Sequence, residues 1–65
     1  MNLFSIGDTV EIIAAGPENA GTVGRTGTVV DDGSLSGGEI AVKGIDRFEK
    51  VRGYRAYTAD QLRKV

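Results

Sequence analysis

Glycine limits the folds open to this chain more than any other residue type does. Ten of the 65 residues are glycine, and they divide the chain into short segments. Several of these segments are rich in Val, Ile and Thr and alternate with period two, as in residues 8–14. Such alternation is typical of β-strands, whereas glycine favours turns and weakens helices. The pattern therefore predicts short strands joined by glycine-containing turns.

The predicted secondary structure consists of five strands and one helical turn. The strands are predicted at residues 8–14, 26–30, 39–43, 54–57 and 63–65. The segment TADQL, which begins at Thr58, is long enough for a single helical turn before the last strand. The charged stretch between Gly44 and Gly53 predicts the two arms and the tip of a hairpin.

A closed sheet accounts best for five short strands in one small domain. A single open sheet would leave two edges and only half a core, whereas closure surrounds the apolar positions. We therefore predict an all-β fold for residues 1–65, a small barrel or sandwich of five strands with a single helical turn before the last strand, and closure of the sheet favours the barrel. The predicted core positions are Val10, Ile12, Val29, Ile40, Val42 and Leu62.

The composition argues against several functional classes. The chain has no Cys and no His, so it lacks thiolate ligands, the commonest metal ligand and the usual general base. Its nine acidic residues show no calcium-loop spacing. We therefore expect no catalytic residues, no cofactor and no metal. No apolar segment approaches the ~20 residues of a membrane helix, which leads us to expect a cytoplasmic protein without membrane contact.

Charge is unevenly distributed along the chain. Residues 1–42 carry six acids and one base, a net charge of −5, and residues 43–65 carry seven bases and three acids, a net charge of +4. The two halves sum to the overall charge of −1. A chain that is nearly neutral overall can therefore present one basic face.

The first half of the chain resembles the KOW motif of ribosomal and transcription-elongation proteins. The residues that carry the resemblance are the GDTV that starts at Gly7, the break at Gly16, and the GRTGTV that starts at Gly24. The ending YTADQLRKV is similar to the close of many SH3-like barrels, and the layout resembles that of the small stromal-side accessory subunit of photosystem I. The loop at residues 16–24 is longer than a minimal KOW loop. The resemblance implies that the fold is a five-stranded SH3-like barrel with a single helical turn before the last strand, and it leaves the function open.

The glycine-rich segment at residues 16–30 has two interpretations, a phosphate cradle or a bend between strands. Gly16 and Gly21 have the spacing of the two glycines of a P-loop, which is half of that motif, but Thr22 and Val23 stand where Lys and Ser or Thr are required. No predicted helix follows to present its N-terminus to a phosphate. We therefore predict a bend, in which Gly16, Gly21 and Gly24 adopt positive φ and Gly27 permits a bend or bulge.

The basic and aromatic segment at residues 43–57 is the candidate binding site. Side chains that alternate between cations and aromatic rings are typical of RNA and single-strand binding faces. The alternative is a solvated hairpin with Phe48 and Tyr54 packed in the core. The candidate residues are Lys43, Arg47, Phe48, Lys50, Arg52, Tyr54, Arg55 and Tyr57.

The carboxylates of Asp31, Asp32 and Glu39 have an acid–base interpretation and a turn interpretation. Acid–base chemistry requires burial that separates two pKa values, and a Gly- and Ser-rich turn is exposed to water. The turn interpretation is therefore favoured. Asp8 is likewise predicted to be a turn residue at the entry to the first strand.

These observations predict a non-enzymatic binding module. A pI near 5.2 is unusual for a dedicated nucleic-acid binder, so we expect an accessory or adaptor subunit that docks onto a larger protein assembly. The alternative is KOW-like binding of RNA or single-stranded DNA through residues 43–57. We expect a monomer or a weak dimer. The acidic half also stays open as an interface for a basic partner.

Overall fold

The computed structural model describes residues 4–34 and 37–65. These residues form five strands, one short α-helix and two 3₁₀ segments. The strands are β1 (Thr9–Ile12), β2 (Thr26–Asp31), β3 (Ile40–Lys43), β4 (Arg55–Tyr57) and β5 (Leu62–Lys64). The α-helix α1 is Glu49–Arg52, and the 3₁₀ segments are Pro17–Thr22 and Ala59–Gln61.

The five strands form one antiparallel sheet in the order β4-β3-β2-β1-β5. The all-β prediction is confirmed, and each predicted strand is present with slightly different bounds. The 3₁₀ turn Ala59–Gln61 confirms the predicted helical turn before the last strand. None of the helices among residues 4–34 and 37–65 has the length and apolarity to cross a membrane.

The six predicted core positions are all buried. Strand pairing brings them together across the sheet, since Val29 lies opposite Val42 and Ile12 opposite Leu62. The core also contains Tyr57, which is only 1% exposed and lies opposite Ile40. Among residues 4–34 and 37–65, two further core members lie outside the strands and were not predicted. They are Phe4 and Ile45.

Gly27 is required by close packing rather than by a bend. β2 runs through Gly27 without interruption, and the register shift in this strand lies between Val29 and Asp31. A Cβ atom on Gly27 would clash with the backbone oxygen of Lys43 and would lie 2.6 Å from Val42 Cγ1 and 2.9 Å from Ile45 Cδ1. The predicted bend or bulge at Gly27 is therefore wrong. The lack of a side chain at this position instead allows β3 to pack closely against β2.

The segment between β1 and β2 is a bend, as predicted, but most of its glycines act differently from the prediction. Pro17 begins a 3₁₀ segment that runs to Thr22 and turns the chain. Gly24 has a φ of 94°, whereas Gly16 has a φ of −69° and Gly21 also lies outside the left-handed region. Proline at the first position of the segment presets φ, so positive φ is needed only where the segment ends.

The connection between β3 and β4 contains a helix where a hairpin was predicted. The helix α1 comprises Glu49–Arg52 and is capped by Gly53. The φ of Gly53 is 87°, and its N–H donates to the Glu49 carbonyl oxygen. The Glu49 side chain accepts a hydrogen bond from the backbone N–H of buried Ile45 at 2.8 Å. The hairpin prediction is wrong, because the bond between Ile45 and Glu49 holds the residues that follow β3 against α1.

The carboxylates of Asp31 and Asp32, in the turn that follows β2, accept hydrogen bonds from nearby backbone N–H groups. Asp31 Oδ1 accepts the N–H of Gly33 at 2.9 Å, and Asp32 Oδ1 accepts the N–H of Ser34 at 3.0 Å. Side chains that bond two residues ahead are typical of Asx turns, so the turn interpretation is confirmed for Asp31 and Asp32. Within the described ranges, no group of three or more acidic side chains is placed to hold a metal ion.

Asp8 is a turn residue at the entry to β1, as predicted. Its carboxylate accepts a hydrogen bond from the Ser5 N–H at 2.8 Å, and its own N–H donates to the Ser5 carbonyl oxygen at 3.0 Å. Lys64 Nζ lies 3.5 Å from the same carboxylate. The Ser5 N–H holds the pKa of Asp8 below its ordinary value of 3.8, Lys64 lowers it further, and desolvation opposes both.

The lowered pKa of Asp8 predicts a contribution to stability that depends on pH. A carboxyl group whose folded pKa is lowered stabilises the fold above its unfolded pKa, and this stabilisation is lost as the pH falls through the folded pKa. Asp8→Asn should therefore be less stable than the wild type at pH 7, and the difference should vanish below the folded pKa. Urea denaturation at a series of pH values measures this difference. A difference that does not change with pH would contradict the assignment.

Candidate docking surface

The predicted site residues occupy the β3–β4 connection, defined here as residues 44–54, and the strand residues beside it. Lys43 ends β3 and is exposed, as are Arg47 and Lys50 within the connection. Arg52 ends α1, and its side chain lies outside the described part of the structure. The remaining predicted residues are Phe48, Tyr54, Arg55 and Tyr57, which divide between the surface and the interior.

Three apolar or aromatic side chains of the β3–β4 connection face solvent. Val51 is 86% exposed, Tyr54 is 54% exposed and Phe48 is 51% exposed. The alternative in which Phe48 and Tyr54 pack in the core is therefore wrong. Val51 was not predicted, although it follows Phe48 by three residues, the spacing that places two side chains on one face of a helical turn.

Cations accompany these apolar side chains. The Arg47 guanidinium lies 5.6 Å from the centroid of the Phe48 ring, within cation–π range. Lys50 is exposed on α1. The exposed surface of the connection therefore combines aromatic and aliphatic side chains with positive charge.

The acidic residues of the connection bond to nearby groups of the protein. Asp46 Oδ1 accepts the backbone N–H of Phe48 at 2.7 Å, and its Oδ2 lies 2.6 Å from Arg55 Nε. Glu49 accepts the Ile45 N–H at 2.8 Å. Asp46 and Glu49 are also only partly exposed, so the exposed charge of the connection is mainly that of its bases.

Tyr57 is a core residue and cannot be a surface contact. Its ring is 1% exposed, and its hydroxyl lies 2.7 Å from Thr22 Oγ1 in a buried hydrogen bond. Thr22 Oγ1 also donates to the Asn19 carbonyl oxygen at 2.7 Å. Including Tyr57 in the candidate site was wrong, because the ring faces the core from β4.

Arg55 holds the β3–β4 connection against the segment between β1 and β2. Its Nε pairs with Asp46, and its NH1 group donates to Asn19 Oδ1 at 2.7 Å and to the Glu18 carbonyl oxygen at 3.0 Å. The side chain is 25% exposed. Arg55 is therefore a positioning residue of this surface, since most of its donors are used within the protein.

Removing Arg55 should measurably destabilise the protein. Arg55→Ala leaves half-buried Asp46 without its ion pair and Asn19 without its donor, so the free energy of unfolding should fall by about 1–3 kcal/mol. Arg63→Ala is the matched control, because its ion pair with Glu11 joins side chains that are 63% and 27% exposed. The control should lose about 1 kcal/mol or less. Equal losses in urea denaturation would contradict a positioning role for Arg55.

Two grooves border this surface, each with a volume of about 300 Å³. Both are lined by Glu18 and by the Arg55–Asp46 pair. The first groove, called here the acidic groove, also contains Glu39 and the Tyr54 ring. Phe48 and Arg25 line the second groove.

The outer edge of β4 is covered where the segment between β1 and β2 crosses it. Asn19 Nδ2 donates to the Ala56 carbonyl oxygen at 3.2 Å. Close by, the Thr58 N–H donates to Gln61 Oε1 at 3.1 Å. Side chains that occupy the polar groups of an edge strand protect it from pairing with another strand.

Comparisons with protein-family models, with curated proteins and with solved structures find no match for this chain.

Proposed function

We propose that this protein is a non-enzymatic binding module that docks onto a larger protein assembly through the β3–β4 connection. The observation that carries the proposal is the exposure of Phe48, Val51 and Tyr54 within one short connection. Clustered exposed apolar side chains with a polar border are typical of protein interaction sites. Aromatic residues and Arg are also the side chains enriched where interfaces gain most of their binding energy.

The way that the connection is held also supports docking. Arg55 pairs with Asp46 of the connection and bonds to the segment between β1 and β2, and within the connection Glu49 bonds to buried Ile45. A surface held in place before binding loses less conformational freedom when it binds. The connection is thus suited to rigid docking.

Nucleic-acid binding through residues 43–57 is less well supported. Two of the predicted contacts serve the fold, since Tyr57 is buried and Arg55 bonds to Asp46, Glu18 and Asn19. Stacking on aromatic rings and tracking of phosphates require accessible rings and cations. The alternative retains Lys43, Arg47, Phe48, Lys50 and Tyr54, together with Arg52, whose side chain lies outside the described part of the structure. A nuclease treatment in the affinity experiment tests this alternative.

The proposal includes closure of the sheet into an SH3-like barrel. The outer strands β4 and β5 follow one another in the chain and are joined by Thr58 and the 3₁₀ turn. Tyr57 of β4 and Leu62 of β5 belong to the same core cluster, which supports closure. A cytoplasmic location stays a prediction from the sequence, since a chain without Cys needs no oxidising compartment.

An affinity experiment tests the proposed function. Wild-type protein and the Phe48→Ser/Val51→Ser variant are immobilised and incubated with extract of the cells that produce the protein, with and without nuclease. The wild type should retain a defined set of proteins that resists nuclease, and the variant should lose it. Ile13→Ser is the matched control, because Ile13 is 47% exposed and lies outside the connection. The proposal would be contradicted if nuclease abolished the retention of these proteins. It would also be contradicted if Phe48→Ser/Val51→Ser retained them as well as Ile13→Ser does.

A further inference from the structure

Two surfaces of opposite charge adjoin each other in this protein. The β3–β4 connection exposes Arg47 and Lys50 together with Phe48 and Val51. The described side chains that line the acidic groove beside it include three carboxylates and one guanidinium, a net charge of −2. Tyr54 and Asp46 belong to both the connection and the groove, so the two surfaces meet at these residues.

The exposed charges of the groove complement those of the connection. Glu18 and Glu39 are both exposed and line the groove. The groove also offers the half-exposed Tyr54 ring. An apolar side chain flanked by cations therefore fits the groove in both polarity and charge.

We propose that the occupant of this surface is a second copy of the same chain, in a two-fold symmetric dimer. The connection of each copy faces the acidic groove of the other. In a two-fold interface the same patch is used twice, so it must complement itself. Adjoining surfaces of opposite charge meet that requirement, because a single rotation places both pairs in contact.

The charge distribution of the whole chain favours this occupant. The net charge of −1 gives little repulsion between copies, although residues 1–42 carry −5 and residues 43–65 carry +4. Pairing through the edge of β4 is disfavoured, because Asn19 occupies the Ala56 carbonyl oxygen there. The dimer rests on the proposed function in using the β3–β4 connection as an interface. A partner from a larger assembly would then displace the second copy.

Charge exchange between two variants tests the dimer. The first variant is Arg47→Glu/Lys50→Glu, and the second is Glu18→Lys/Glu39→Lys. Each should dimerise at least about tenfold more weakly than the wild type, because like charges then face each other across the interface, and tenfold corresponds to about 1.4 kcal/mol. An equimolar mixture should recover a heterodimer within about threefold of the wild-type affinity, because both contacts again join opposite charges.

Analytical ultracentrifugation at low and moderate salt gives these dissociation constants, and thermal unfolding checks that both variants fold. The wild-type dimer should weaken as salt increases. A wild type that stays monomeric at millimolar concentration, or a mixture that does not restore association, would overturn the dimer. If the protein is a monomer but loses its retained proteins in the Phe48→Ser/Val51→Ser variant, the dimer is overturned and the proposed function stands. A dimer that retains no other protein contradicts the proposed function alone.

Discussion

Alanine in place of Gly27 should remove most of the protein's free energy of unfolding. The added Cβ would clash with the Lys43 backbone oxygen and crowd the buried Val42 and Ile45 side chains. Backbone cannot yield as a flexible side chain does, so the free energy of unfolding should fall by about 3 kcal/mol or more. The free energy of unfolding of a domain of this size is roughly 3–5 kcal/mol in total. The midpoint temperature of thermal unfolding should therefore fall by well over ~10 °C. Circular dichroism during heating measures the shift.

Gly21→Ala is the matched control for this substitution. Gly21 lies in the 3₁₀ segment with no positive φ, and a Cβ there meets nothing within 4 Å. Its effect on the free energy of unfolding should stay within ~0.5 kcal/mol. If Gly21→Ala and Gly27→Ala lowered the free energy of unfolding equally, the claim that Gly27 is needed for the close packing of β3 would be contradicted.

Thr22→Val should destabilise the protein by about 1–3 kcal/mol although it preserves the shape of the side chain. The hydroxyl of Thr22 donates to the Asn19 carbonyl oxygen and is hydrogen-bonded to the Tyr57 hydroxyl, and both Thr22 and Tyr57 are buried. Valine removes both bonds and leaves the Tyr57 hydroxyl in the interior without this partner. Urea denaturation of the purified variant measures the loss.

A double-mutant cycle isolates the bond between Thr22 and Tyr57. Tyr57→Phe alone should cost about 0.5–1.5 kcal/mol, and the double variant should cost clearly less than the sum of the two single losses. Thr26→Val is the control, because Thr26 is exposed on β2 and should change stability by ~0.5 kcal/mol or less. Strictly additive losses would contradict a shared buried hydrogen bond.

Alternation along the strands was sufficient to predict most of the core but not which aromatic ring enters it. In residues 54–57 each face of the strand carries one tyrosine, so period two separates Tyr54 from Tyr57 without saying which is buried. The choice depends on the register of β4 against β3, where Tyr57 lies opposite buried Ile40. The Thr22 hydroxyl then supplies a partner for the buried Tyr57 hydroxyl. Both facts involve residues distant in sequence.

The β3–β4 connection shows the same limit for the candidate site. Its bounds were predicted from Gly44 and Gly53, which have φ values of 85° and 87°. Its helix was not, because a single turn is favoured only once Ile45 is buried and donates to Glu49. The role of Arg55 likewise depends on contacts with Glu18 and Asn19 across the fold. The role of Asp46 depends in turn on its ion pair with Arg55. Composition therefore located the basic and aromatic segment, whereas tertiary contacts determined which of its side chains are exposed.

The most direct test of docking through the β3–β4 connection is site-specific photo-crosslinking in the cells that produce the protein. The photoreactive residue p-benzoylphenylalanine replaces Val51, which is 86% exposed, and in a control it replaces Val65, which is 63% exposed and lies outside the connection. Irradiation should give adducts with a discrete set of other proteins from position 51, lost in the Phe48→Ser background and absent from position 65. Adducts that nuclease removes, or equal adducts from both positions, would contradict the proposed docking surface.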